Sequence, residues 1–244
     1  MKENDWFIGW FDSKYYHILY KNRDNSEAKA FIRKLTKNIN LAENSSVLDL
    51  GCGKGRHSIE LSKIYKNVIG IDLSSQSINE AKKTTSHGLS FSVQDMREFK
   101  LNHKVDGIFN LFTSFGYFSS IDDNLKVLKQ CYTNLNEKGL LIIDFFNANK
   151  VKNELIKNEV KTIDEISFYI KRTIIDQRVV KTIQFKDNNQ PYSYIESVQL
   201  LTLKDFTYLF SKSNFKLINT FGDYNLDTYN PNHSNRLILI AKKT

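Results

Sequence analysis

The chain has 244 residues, of which 41% are hydrophobic and 25% charged, and its 35 Lys and Arg outnumber 27 Asp and Glu for a formal net charge of +8. This is ordinary globular composition, and it excludes collagen-like, disulfide-scaffold and disordered chains. Only two cysteines are present, Cys52 and Cys131, too few for a disulfide framework and in keeping with a reducing compartment.

The first 40 residues read as helical. Ala28, Phe31, Ile32 and Leu35 recur at helix spacing, with a start near Ser26. A strand–helix alternation follows. Ser46-Val47-Leu48-Asp49-Leu50 is a short apolar strand that runs into glycines, and Ile59, Leu61, Ile64 and Tyr65 mark a helix. Val68 to Leu73 form a second strand, followed by a helix capped by Ser74 or Ser75. Residues 89–93 and 105–112 are the third and fourth strands. Leu125, Leu128 and Leu135 line the next helix, which is expected to stop at Lys138-Gly139 with glycine as its C-cap. Residues 140–146 make a fifth strand. Five apolar strands alternating with helices predict a doubly wound parallel sheet.

The rhythm changes after Asn149. Residues 166–175, 179–185 and 192–201 are β-rich, separated by turn residues at 176–177 and 187–191. Residues 160–202 are therefore expected to form an antiparallel β cap inserted in the domain. A helix opening at Leu203 and two strands, 215–221 and 236–241, complete residues 203–244. The whole chain reads as one domain, with a helical lid at 1–40 and a core at 45–148.

The informative segment is Asp49-Leu50-Gly51-Cys52-Gly53-Lys54-Gly55-Arg56-His57. It follows a strand and opens a helix, the context in which a glycine loop binds a ligand. It lacks the third glycine of a dinucleotide loop, a position taken by Arg56, and it lacks the G-x-x-x-x-G-K-[ST] of a phosphate loop. With Asp49 just before it, the loop suits a ligand bearing an ammonium and a sulfonium better than one with two phosphates. Asp72 ends the second strand 21 residues after Gly51, where a carboxylate can accept from a ribose diol. Asp95-Met96 ends the third, where an acid can accept from an adenine amino group.

These three motifs, D-L-G-C-G-K-G, G-I-D-L-S and Q-D-M-R, resemble those of the class I S-adenosylmethionine-dependent methyltransferases. The resemblance extends to small bacterial members carrying G-K-G-R-H-S and N-L-F-T-S-F-G-Y-F, here residues 53–58 and 110–118. The chain also looks like the sugar and amino-acid N-methyltransferases with a β-rich cap. The resemblance implies a seven-stranded, mostly parallel Rossmann-like sheet with a reversed last strand, and S-adenosylmethionine as cofactor. It implies that Asp49, Gly51, Cys52, Gly53 and Gly55 form the methionine loop. Asp72 would hold the ribose with Leu73 against the adenine, and Asp95 and Met96 would read the adenine edge. Tyr16, Tyr20 and Arg23 of the lid would reach the cofactor. Arg56 is read as either a carboxylate ligand or a surface residue.

Asn110, Leu111 and Phe112 lie where the fourth strand meets the cofactor, and Ser114, Phe115, Tyr117 and Arg236 are expected on the acceptor side. Core packing is expected for at least one of Phe112, Phe115 and Phe118. The segment departs from the N-P-P-[YF] pattern of nucleobase and Asn/Gln amino-group enzymes. His17 and His233 are the candidate bases for a hydroxyl acceptor, whereas an amine needs little base. No His/Cys cluster has metal spacing, so no metal is expected.

The expected reaction is methyl transfer to a small molecule, an amine, hydroxyl or carboxylate, by in-line displacement. The alternatives are an RNA methyltransferase, a non-catalytic cofactor-binding partner, or a related aminopropyl or carboxymethyl transfer in which Asp144 would meet a polyamine. Nucleic acid is disfavoured because the positive charge is carried by 28 Lys and 7 Arg with no cluster longer than a pair. The N-terminus has no apolar h-region and no stretch reaches the ~18 apolar residues of a membrane span. The protein is expected in the cytoplasm, without a membrane partner, as a monomer or homodimer.

Overall fold

The computed structural model describes residues 6–21, 25–84 and 86–244. The helical N-terminus resolves into three pieces: α1 (Trp6–Phe11), α2 (Lys14–Leu19) and α3 (Asn25–Asn38). Ser13 separates the first two, because its hydroxyl accepts the Tyr15 N–H and caps α2. The 28/31/32/35 stripe of α3 is buried, and three of its members pack with Val47, Val68, Phe109 and Ile238.

The central elements are β1 (Ser46–Leu50), α4 (Arg56–Leu61), β2 (Asn67–Asp72), α5 (Ser75–Ala81), β3 (Leu89–Val93), β4 (Val105–Asn110), α6 (Ile121–Asn134) and β5 (Leu135–Phe146). After a short helix, α7 (Ala148–Asn153), the chain forms β6 (Asn158–Ile163), β7 (Ile166–Ile175), β8 (Arg178–Asp187) and β9 (Gln190–Gln199). It then returns through α8 (Leu203–Lys212), β10 (Phe215–Phe221) and β11 (Arg236–Lys243).

The main sheet runs β10-β11-β5-β4-β1-β2-β3. Strands β1 to β5 are parallel, and β11 is antiparallel to both neighbours. The interior strands are buried over most of their length because helices cover both faces, so they lack the alternation of a sheet with one face in water. The order reverses between β1 and β4, and ligands bind outside the carboxyl ends of strands at such a switch point.

Two expectations are corrected. Helix α6 ends at Asn134 and not at Gly139, because Leu135 already pairs with Val105 and begins β5. Gly139 is needed for close approach: an added Cβ would sit 2.9 Å from the Asn136 carbonyl and 3.2 Å from that of Asp106. The fourth strand stops at Asn110, two residues early, since Phe112 and Thr113 have φ of 58° and 62°, outside the β region.

The β-rich segment forms a separate antiparallel sheet in the order β6-β7-β8-β9. It has one strand more than expected, since β6 precedes the three β-rich runs. Each hairpin closes through two residues at positive φ: Asp164-Glu165, Asp176-Gln177 and Asn188-Asn189. That geometry matches the right-handed twist of the flanking strands, and Asp and Asn tolerate it. The last turn is tighter than the expected 187–191. Pro191 falls within β9, an edge strand where its missing N–H is tolerated.

Arg178 joins the cap to the core. Its guanidinium donates to the carbonyls of Tyr117 and Phe118, both at 2.8 Å, and to Ser197 O and Oγ, both at 2.7 Å. Burial lowers the pKa of this guanidinium, yet the group remains charged and bonded. Arg178→Met strands two carbonyls and is expected to lower stability by about 2–3 kcal/mol, measured by urea denaturation. An unchanged midpoint and slope would show that the cap docks without it.

Candidate functional site

The carboxyl ends of β1, β2, β3 and β4 open into a cavity of about 950 Å³. The glycine loop, residues 94–96 and the segment after β4 form its base. Trp6, Phe7, Phe11, Tyr16, His17 and Tyr20 form one wall, and the inner face of the cap, with Arg172, Val179, Lys181, Glu196 and Val198, forms another.

Backbone hydrogen bonds stitch the glycine loop to β2. The N–H groups of Gly51 and Cys52 both donate to Ile71 O, at 2.8 and 3.0 Å. Asp72 completes the attachment: Oδ2 accepts the Gly53 N–H at 2.8 Å, and Oδ1 accepts that of Ser74 at 2.8 Å. Burial raises the pKa of this carboxyl while the two N–H donors oppose that shift. Each oxygen keeps acceptor capacity for the diol of a ribose. Gly53 has φ +54°, and a Cβ there would meet nothing within 4 Å. A Cβ added at Gly51 or Gly55 would instead fall 2.8 Å from Ser114 Cβ or 2.7 Å from Phe91 Cζ. The open side of Gly53, on the cavity wall, is therefore a cradle for a ligand's close approach.

Asp49 lies beneath the loop, 1% exposed and outside the cavity lining, with Ser58 Oγ donating to it at 2.6 Å. Burial pushes its pKa up to about 7, against the pull of the Ser58 hydroxyl. Cys52 lines the loop, and burial raises its thiol pKa, which keeps it protonated. Asp95, Met96 and Leu73 all reach the cavity. The Asp95 carboxylate also receives Arg97 Nε at 3.0 and 3.1 Å. Arg97 in turn stacks over Phe118 at 4.7 Å. Arg56 lines the cavity with its guanidinium 4.3 Å over the Phe112 ring.

Asp144 shapes the segment after β4. It is 1% exposed. Its carboxylate accepts from Phe112 N–H at 2.8 Å, Arg236 Nε at 2.8 Å and Tyr224 OH at 3.1 Å. Its carbonyl accepts the Thr113 N–H at 2.9 Å, and Arg236 also reaches Thr113 Oγ1 at 3.0 Å. This network holds Phe112 and Thr113 in their left-handed conformation. Asp144 and Arg236 lie outside the cavity lining, so they position the loop. The polyamine role considered for Asp144 has no free carboxylate to serve it.

Leu111, Phe112, Ser114 and Tyr117 line the cavity. Phe115 does not, being 1% exposed and packed on Phe206 at 5.6 Å. Asn110 is buried behind the lining, with Nδ2 donating to Leu50 O at 2.8 Å. Gly55 caps α4 behind the loop. Tyr16, His17 and Tyr20 face the cavity, His233 is exposed elsewhere, and Arg23 lies outside the described residues. Sequence reasoning missed Trp6, Phe11 and the cap residues Arg172, Lys181 and Glu196. Lys181 Nζ lies 3.2 Å from Glu196 Oε2, and burial lowers the lysine's pKa while Glu196 opposes that shift.

A strand order reversed at β1/β4, an antiparallel β11, an open-sided glycine cradle and a carboxylate at the end of β2 define an S-adenosylmethionine-dependent methyltransferase of class I. The model of the family described as "Methyltransferase domain" matches residues 41–217, and the chain belongs to that family. The protein YqeM of Bacillus subtilis (strain 168) is 25% identical over 214 residues, covering 84% of this chain and 86% of that one. The glycine/sarcosine N-methyltransferase of Aphanothece halophytica is 24% identical over 253 residues, 99% of this chain and 91% of the relative. In fold, the chain is similar to an S-adenosylmethionine-dependent methyltransferase from Clostridium acetobutylicum ATCC 824. The TM-score is 0.79 at 21% identity, over 94% of this chain and 96% of that one. Among the described residues no His, Cys, Asp and Glu cluster could hold a metal, and no helix is long and apolar enough to cross a membrane.

Two outcomes follow from the loop. Asp72→Ala should weaken S-adenosylmethionine binding at least tenfold, about 1.4 kcal/mol, by calorimetric titration. Unchanged affinity with an intact fold removes Asp72 from the ribose site. Asp49 supplies a pH signature. The unfolded chain sheds this proton near pH 4 and the folded chain holds it to about 7, so its contribution to stability falls as pH rises across that window. Asp49→Asn lacks the effect, so its melting temperature should gain on the wild type between pH 5 and pH 8. Parallel curves would mean that Asp49 ionises normally.

Proposed function

We propose that this chain transfers the methyl group of S-adenosylmethionine to a basic nitrogen of a small-molecule acceptor by in-line displacement. The observation that carries this is a continuous cavity of about 950 Å³, shared by the glycine loop and the cap. It lies at the upper end of the roughly 300–1,000 Å³ of ligand pockets, with room for a nucleoside cofactor and a small partner. The naming of a relative along nearly the whole chain as a glycine/sarcosine N-methyltransferase supports an amine acceptor.

When bound, S-adenosylmethionine supplies an already activated methyl group. The loop backbone at Gly51 and Gly53 admits its methionine end, Asp72 its ribose, and Asp95 with Met96 its adenine. Trp6, Phe11, Tyr16 and Tyr117 form an aromatic wall, with Trp6 edge-on to Tyr117 at 5.4 Å and Phe11 edge-on to Tyr16 at 4.9 Å. Such a wall excludes water and offers negative ring faces to a cation. Helices α1 and α2 act as a lid, joined to the cap through Trp10, Tyr15 and Leu19. The chain's main contribution is alignment, because a neutral amine needs no strong base. His17, on the cavity wall, is the candidate base for the proton the amine loses.

The test is methyl transfer from S-adenosylmethionine to a panel of small amines, the hydroxyl analogue of each, and a short RNA, followed by mass spectrometry. Methylation of an amine, with its hydroxyl analogue unreacted, is expected. Methylation confined to hydroxyl compounds, or to RNA, would contradict the proposal.

A further inference from the structure

The inner face of the cap is built of rungs across β7, β8 and β9. Near α1 and α2 the rungs are apolar and aromatic: Phe168, Ile170, Ile183, Phe185, Tyr192 and Tyr194. At the far end Ile174 pairs with Val179, and Val179 with Val198. Between them lies a charged rung, with Arg172 directly opposite Lys181 and Lys181 directly opposite Glu196. All three side chains line the cavity. Two like charges directly opposite each other on paired strands are destabilising.

The neighbouring carboxylates are committed to protein donors. Glu196 Oε1 accepts Trp10 Nε1 at 2.8 Å and Tyr20 OH at 2.7 Å, and Oε2 pairs with Lys181. Glu159 lies outside the cavity lining and pairs with Arg172 at 2.6 Å and Lys161 at 3.2 Å. Glu154 stands at the rim, 62% exposed, beside Lys150. The cations keep donors in hand. A guanidinium has five N–H bonds. Among the described residues, Arg172 directs only Nη1 to Ile156 O and Nη2 to Glu159. Lys181 engages Tyr20 and Glu196, leaving its third N–H. Trp6, on the same cavity, buries an indole N–H with no partner among the described residues. The acceptor end of the cavity therefore has a surplus of donors and two adjacent positive charges.

We propose that Arg172 and Lys181 form an anion subsite, and that the methyl acceptor is a small molecule carrying a carboxylate or phosphate group. The arginine fork suits a planar or bidentate anion, and the lysine adds a point charge. This deepens the proposed function and rests on it, since it takes the cap end of the cavity as the acceptor's place.

The probes are acetate, inorganic phosphate and acetamide, the uncharged counterpart of acetate. Each is titrated by NMR into protein already saturated with S-adenosylhomocysteine. Acetate or phosphate should bind and acetamide should not, and the tighter anion identifies the group. Arg172→Met and Lys181→Met should each weaken anion binding at least tenfold, with S-adenosylhomocysteine affinity unchanged. Arg172→Gln, which keeps hydrogen-bonding capacity, decides the matter if either Met variant unfolds. Failure of both anions to bind, equal binding of acetamide, or wild-type anion affinity in the variants overturns the subsite. Failure of S-adenosylhomocysteine itself to bind overturns the cofactor site instead, and is seen in the first titration.

Discussion

One carboxylate, that of Asp72, fastens the glycine loop to the sheet. Its two oxygens take the N–H groups of Gly53 and Ser74, each at 2.8 Å, and so tie the loop after β1 to the start of α5 after β2. Together with the Gly51 and Cys52 N–H groups on Ile71 O, that bridge restrains a loop whose three alternating glycines would otherwise have large conformational freedom. With it, Gly53 presents an open backbone to the cavity while Gly51 and Gly55 are locked against Ser114 and Phe91. Those donors offset only part of the desolvation cost of burying the carboxylate, whose pKa stays raised, and each oxygen keeps acceptor capacity toward the cavity.

The opposite side of the site depends on charges that never reach it. Asp144 gathers Arg236, Tyr224 and the Phe112 N–H into one buried network, which keeps Phe112 and Thr113 in a conformation that non-glycine residues rarely adopt. Arg178 clasps the same segment from the cap through the Tyr117 and Phe118 carbonyls. The segment after β4, which carries Phe112 and Tyr117 to the cavity, is thus held from below by the core and from above by the cap. Such double support keeps a binding surface in place when its own residues lie in a loop.

Much of this was legible in the sequence, for local reasons. The five parallel strands announced themselves as short apolar runs, and the loop glycines with Asp72 and Asp95 fell at spacings set by one strand–helix–strand unit. The end of α6 was misjudged because Gly139 resembles a helix cap, whereas tertiary crowding by the Asn136 and Asp106 carbonyls is what demands glycine there. Strand β6 was missed because Asn158–Ile163 has only Val160 and Ile163 as apolar residues, and none of its six residues is buried, so no apolar face marks it. Arg236 looked like an acceptor contact from its place beside the last strand. Its partner Asp144 lies on β5, a pairing fixed only by the antiparallel register of β11 against β5. The charged rung of the cap was hidden for the same reason: Arg172, Lys181 and Glu196 are far apart in sequence and become neighbours only through two hairpin registers. Its signal was the charged residue at the inward position of each of three otherwise alternating strands.

The central claim is that the Asp72-anchored loop is built for an adenosyl sulfonium ligand and not for a dinucleotide. Calorimetric titration of the protein with S-adenosylmethionine, S-adenosylhomocysteine and NAD, side by side, tests it most directly. The account predicts binding of both adenosyl ligands and none of NAD. Binding of NAD, or of none of the three, would contradict it.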